Sequence, residues 1–452
     1  MREDQNRRWL WVAGMMAGAV VAGAQSADVT AGGKGFGLAE LVAPTKLVAP
    51  KAGVPPSAVP FQPDVNAEPH GYFTREPKDR FTRLMNDLGT ERMPLDRASE
   101  LAFLRSLLAA LEIPVSSQLL VFSNTSLQLS LINPSNPRAL YFSDDLYLGY
   151  VPGGKIEVAS VDAELGAVFY IFDIPRDASP VRVERARRCM NCHANEDTLH
   201  VPGLVVKSVA PGSGGGSLDS FRRELSGHGV PLSERFGGWH VTGLGAFDGH
   251  LGNRMGKLFQ GELSWTPLPP ATRFSWGRYP VTTSDLLAHL VHEHQVGFVN
   301  RLVRAQYRAR ALRQGSPGGL ASAPSAELDA DVRDLVRYLL FADEVPLPEG
   351  GVTGDAGFKS AFSRNRREIE GRSLKDFDLK TRLFRHRCSY LVHTALFEGL
   401  DPEVRSRVVR GMVSALKPGS DNAEFAYLGE EEKAKTRAIL HRTVPGFEKA
   451  FP

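Results

Sequence analysis

Lys155-Ile156-Glu157-Val158-Ala159-Ser160-Val161 and Ala167-Val168-Phe169-Tyr170-Ile171-Phe172-Asp173 are the stretches that decide the fold class. Both are short and rich in β-branched and aromatic residues, and Glu164-Leu165-Gly166 between them is a turn signal, so they read as neighbouring antiparallel strands. Upstream, 118–122 and 139–142 have the same character and are separated by Asn-Pro and Pro-Gly-Gly turn signals. Before them, Leu101, Leu104, Leu107, Leu108 and Leu111 recur at helical spacing within 96–112. Downstream the period changes: 204–209 precedes a Gly/Ser-rich loop at 211–217, and a mixed segment runs to Trp265. From Thr283 the chain reads as helical, with a long amphipathic helix over 284–310 closed by Gly315, Pro317 and Gly318. Further helices are expected at 329–342, 379–398, 402–416 and 429–441. The expected class is α+β, with an antiparallel β-containing N-terminal half and a mainly helical C-terminal half.

The 452 residues carry a net charge of only +3, with arginines scattered among acids, which argues against a nucleic-acid binder. Arg7 and Arg8 precede an apolar stretch, Trp9 to Ala22, and Ala22-Gly23-Ala24 stands before Gln25 as a small-x-small cleavage site. Residues 1–24 therefore read as a removed signal peptide, implying a periplasmic or otherwise exported protein. The paired arginines also fit a twin-arginine signal. No later stretch has membrane length, so no integral membrane segment is expected after signal removal. Residues 25–68, rich in Ala, Val, Gly and Pro, read as a flexible tether; 69–272 is then an α+β region and 273–452 a helical region packing on it. The Gly-rich run 32–37 lacks the strand and helix that a nucleotide loop requires.

Immediately after the β segment stands Cys189-Met190-Asn191-Cys192-His193. C-x-x-C-H is the attachment pattern of a c-type haem: two thiols bond the two vinyl groups, and the adjacent imidazole becomes the proximal iron ligand. A redox dithiol or half of a zinc site would use the same cysteines. A zinc site would want a second ligand pair, and the remaining cysteine, Cys388, is far away in sequence. Cys388 lies in an apolar stretch and reads as a buried, inert thiol.

With His193 as one iron ligand, the occupant of the opposite face separates electron carrier from enzyme. Leu287, Val291, His294, Phe298 and Leu302 form one helical stripe, so His294 is the first candidate for sixth ligand or distal residue. His289 and His292 fall off the stripe and are expected in solvent. His250, between Gly249 and Gly252, is the runner-up; His200 and His240 follow. Of Met85, Met93, Met255 and Met412, only Met255 is singled out, with core filling as the ordinary role of a methionine. Arg182, Arg185, Arg187 and Arg188 would pair haem propionates, dock an acidic redox partner, or simply form a solvated face.

The motif, with the export signal, resembles c-type cytochromes. That resemblance implies one covalent haem c, thioethers at Cys189 and Cys192, and iron ligation by His193. The wider chain resembles a group of large uncharacterised bacterial monohaem proteins. The shared features are the stretch from Phe122 to Asp173, Gly237-Gly238-Trp239, Val241-Thr242-Gly243, His250 with Gly252-Asn253, Glu293-His294-Gln295, and Asp376 to Arg382. It departs from small electron-carrier cytochromes, which are compact and helical. The leading expectation is an exported monohaem electron-transfer protein with a redox partner. The alternative is a haem enzyme with an open distal site acting on peroxide, dioxygen or another small oxidant; a haem-containing sensor or assembly subunit is a third class.

Overall fold

A computed structural model describes residues 61–450, except 178, 222–225, 246 and 316–324. The expected signal peptide, most of the expected tether and the Gly-rich run lie outside the described residues.

The two decisive runs form β4 (Ile156–Asp162) and β5 (Gly166–Phe172), paired antiparallel with Ala159 opposite Phe169. They belong to a seven-stranded antiparallel sheet with β1 (Leu119–Val121), β2 (Arg138–Phe142), β3 (Leu146–Tyr150), β6 (Glu184–Arg185) and β9 (Trp239–His240). The order is β6-β5-β4-β3-β2-β1-β9. Two hairpins, β7 (Val209–Pro211) with β8 (Ser217–Ser220) and β10 (Arg254–Phe259) with β11 (Glu262–Pro267), stand apart from it. Central β3 is buried at all five positions and so shows no alternation of polarity.

β4 alternates between fully and partly buried residues, because the two faces are covered differently. Ile156, Val158 and Ser160 point to the fully buried face. There Phe81 of α1 (Arg80–Leu84) packs on Tyr170 and Phe172. Tyr150 reaches Glu100 at the start of α2 (Glu100–Ala110), whose Phe103, Leu104, Leu107 and Leu108 are buried. Glu157, Ala159 and Val161 point the other way, to a face shared by two elements. His292 of the long helix α4 (Leu286–Gly315) packs on Phe142 and Tyr147, while the short helix α3 (Met190–His193) brings His193 onto Phe169.

The C-terminal region supplies α5 (Ala326–Leu339), α6 (Ala356–Phe362), α7 (Ala395–Glu398), α8 (Pro402–Ala415), α9 (Glu430–Thr443) and α10 (Phe447–Ala450). The fold is α+β, as the sequence pattern implies, and one apolar core runs from Phe103 on α2 through the sheet and α4 to Phe447. Serine 284 stitches α4 to the sheet: its hydroxyl accepts from Leu120 N–H and donates to the His240 carbonyl.

Three expectations need correction. The helix expected over 379–398 is largely irregular, with only a 3-10 turn at Tyr390–His393 and the four-residue α7. The Asp378 carboxylate accepts from the backbone N–H groups of Lys380 and Thr381, and Leu379 takes a left-handed φ of 60°, so a local turn competes with helix there. His289 and His292, expected in solvent, are buried, because α4 is covered on all sides from Leu286 to Ala309. Residues 61–68, assigned to the tether, include Val65 in the core and Phe61 beneath the Arg308 guanidinium.

Candidate functional site

The C-x-x-C-H segment forms a 3-10 turn at Arg187–Cys189 running into α3. Cys189 is half-buried and Cys192 exposed, and both are free thiols. Burial raises the Cys189 thiol to about 12, which makes it a poor thiolate nucleophile by itself.

His193 is half-buried, with its ring centroid 4.3 Å from that of Phe169. Its Nδ1 lies 2.9 Å from the Gly203 carbonyl oxygen. A carbonyl only accepts, so Nδ1 carries the proton and Nε2 holds the lone pair. Nε2 makes no hydrogen bond among the described residues. Burial lowers the imidazole to about 4, so it is neutral near pH 7. This is the state a metal-ligating histidine requires: one nitrogen fixed by a carbonyl, the other available.

The chain reversal that delivers Gly203 is built locally. Asn195 caps a 3-10 turn at Glu196–Thr198, and Leu199 and His200 both take left-handed φ, 58° and 62°. Gly203 N–H then donates back to the His193 carbonyl at 2.9 Å. Asn300 of α4 holds the next residue in a two-way clamp: Leu204 N–H donates to its Oδ1 at 2.8 Å, and its Nδ2 donates to the Leu204 carbonyl at 2.9 Å. Residue 203 has to be glycine, since a Cβ there would stand 2.3 Å from Asn300 Oδ1. Phe169, Gly203 and Asn300 were not legible as site residues. Phe169 looks like any strand aromatic, and nothing local links Gly203 to a position almost a hundred residues later.

The remaining candidates are dispersed. His294 is fully buried, with Nδ1 at 2.8 Å from His228 Nδ1 and Nε2 at 2.8 Å from Ser389 Oγ; it stacks on Tyr338 and Phe341. Both nitrogens are engaged, and burial lowers its pKa to about 3. His250 is buried against Phe236 and Phe247; its Nδ1 accepts from Gly252 N–H at 2.9 Å, which leaves the proton on Nε2. His200 Nε2 lies 3.3 Å from Gln62 Nε2. His240 is buried between Phe122 and Phe274, beside Asn253. Met255 packs with Phe122 and Leu268, and Met412 is fully buried; Met85 and Met93 are half-buried against the main core.

Arg185 donates to the backbone carbonyls of Tyr72 and Arg75 and lies over the Tyr72 ring, while Arg187 lies over Phe73. These two arginines fasten residues 72–75 beside the motif; Arg182, Arg187 and Arg188 are exposed. Cys388 is fully buried, and burial raises its thiol well above the ordinary range. A surface cavity of about 550 Å³ is lined by Arg410, Val413, Ser414, Lys417, Pro418, Arg437 and Ala450 and includes no residue of the motif or its contacts. It has no bearing on the chemistry of the motif.

Among the described residues, no helix is long and apolar enough to cross a membrane. Comparison of the chain with known protein families, with curated proteins and with solved structures returned no match.

Proposed function

We propose that the chain is an exported monohaem c-type cytochrome that passes single electrons to and from a redox partner. The observation that carries this reading is the state of His193 within the C-x-x-C-H segment: its Nδ1–H is committed to the Gly203 carbonyl, and its Nε2 makes no hydrogen bond among the described residues. Cys189 and Cys192 would hold the macrocycle covalently, and His193 would ligate its iron. When bound, the haem supplies a one-electron ferric/ferrous couple. The protein's own contribution is positional. Phe169 packs against the imidazole, Gly203 orients it, and Asn300 ties the adjoining Leu204 to the central helix. Export follows from the reading of residues 1–24 and supplies the compartment in which such thioethers form.

The residues present fit the group. The sheet face beneath the motif is only partly covered at Leu140, Ala159 and Ile171, apolar side chains that flank the Arg138–Glu157 ion pair on the same face as Phe169. The alternative, a haem enzyme with an open sixth position acting on peroxide, dioxygen or another small oxidant, gains from one observation. His294 and His250, the two sixth-ligand candidates, are both hydrogen-bonded elsewhere.

The deciding experiment is expression with the export signal, followed by haem staining of a denaturing gel and by ferric and ferrous spectra. Covalent stain lost in Cys189→Ala/Cys192→Ala is expected; an unstained wild-type band would sink both readings. Unreactive six-coordinate iron in both oxidation states would favour the electron carrier, and rapid carbon monoxide binding to the ferrous protein would favour the enzyme.

A further inference from the structure

The partly covered face of the sheet holds an ion pair beside the motif. Arg138 on β2 and Glu157 on β4 meet at 2.5 Å across β3. They can meet because β3 offers no side chain between them: a Cβ at Gly149 would stand 2.5 Å from Arg138 Nη2 and 2.8 Å from its Nε. The Glu157 carboxylate is further fixed by Ser126 Oγ at 2.9 Å and Gln128 Nε2 at 3.0 Å, both donating. The two side chains are 20% and 16% exposed, so water and salt screen their fields only weakly.

Register places this pair over the motif. Glu157 shares its face with Ala159, two residues on, and Ala159 is paired with Phe169, the ring under His193. Same-face neighbours along a strand are roughly 7 Å apart.

We infer that the Arg138–Glu157 ion pair sets the reduction potential of the iron held at His193, Arg138 raising it and Glu157 lowering it. The inference rests on the haem reading above. Reduction from ferric to ferrous adds one electron at the iron, so a nearby cation favours the reduced state and a nearby anion the oxidised state. A paired, rigid dipole exerts a defined field where a mobile surface charge would be averaged away.

The test is a mediated redox titration of the full-length haem-loaded protein with dithionite, for wild type, Arg138→Gln, Glu157→Gln and the charge-conserving Arg138→Lys. Arg138→Gln is expected to lower the midpoint and Glu157→Gln to raise it. Each shift should correspond to about tenfold in the reduced-to-oxidised ratio at fixed potential, ~59 mV for one electron. Arg138→Lys should stay near wild type. Loosened packing or water entry would move both glutamine variants the same way, so opposite signs are the diagnostic result. Same-sign shifts or no shifts, with covalent haem stain intact, would overturn this inference alone. A wild-type protein without covalent haem would overturn it together with the proposed function.

Discussion

His193 and His294 are both held inside the fold and both neutral near pH 7, yet their surroundings differ in kind. His193 sits at the end of a four-residue helix, half-buried, with one nitrogen on a backbone carbonyl and the other unengaged. His294 sits in the middle of a thirty-residue helix, fully buried, with one nitrogen on His228 and the other on Ser389. Burial alone therefore does not distinguish the two. What separates the two is whether a lone pair remains once the neighbours have been served. His193 Nε2 makes no hydrogen bond among the described residues, whereas on α4 both nitrogens of His294 are engaged, and Gln295, Asn300 and Arg304 bond separately to Tyr390, Leu204 and Asp331.

The largest expected effect breaks the comparison at His193. If the chain carries the proposed haem, His193→Ala should abolish normal axial ligation, read as loss of the wild-type ferric and ferrous spectra, with only a modest change in thermal stability. If His193→Ala leaves the spectra unchanged, His193 is not the iron ligand. His294→Ala should do the reverse. It opens a cavity and strands His228 and Ser389, so a loss of about 3 kcal/mol is expected in denaturant unfolding, with the haem spectra preserved. Altered spectra in a stable His294→Ala protein would put His294 back at the iron.

Asn300→Ala tests the link between the two regions. It removes the clamp on Leu204 and leaves a buried N–H and C=O unpaired, at a cost of about 2 kcal/mol. Because Leu204 follows the residue that orients His193, a spectral change should accompany the lost stability. Gly203→Ala should cost about 1–2 kcal/mol through overpacking against Asn300.

Acid provides the mildest probe. Burial lowers His70 and His250 to about 4 and His240, His294 and His393 to about 3, all from 6.5. Between pH 6.5 and those values the unfolded chain binds protons that the folded chain refuses. The stabilisation is thus complete above about pH 6.5 and declines as pH falls toward 3–4. Unfolding midpoints measured from pH 7 to pH 4 should decrease, and less steeply in His294→Gln; a flat profile would contradict the buried neutral imidazoles.

Sequence pattern served best where an element's neighbours are local. The runs around Glu157 and Phe169 alternate or carry β-rich residues, and turn signals bracket them, so the antiparallel sheet was legible. The stripe through Leu287, His294 and Leu302 correctly marked a long helix. It misled for His289 and His292, because a stripe assumes one wet face and α4 has none along its first six turns. The stretch 379–398 failed for the opposite reason: its apolar residues are buried without helical order, and Asp378 turns the backbone locally.

By itself, the sequence determined the fold class and supplied the C-x-x-C-H spacing on which the proposed haem attachment rests, because covalent spacing and side-chain period are local properties. Tertiary structure alone decided which histidines keep a free lone pair, that Asn300 fixes the loop orienting His193, and that Arg138 and Glu157 share the motif's face of the sheet. Those depend on register between strands and on packing between residues distant in the chain, which one-dimensional spacing does not encode.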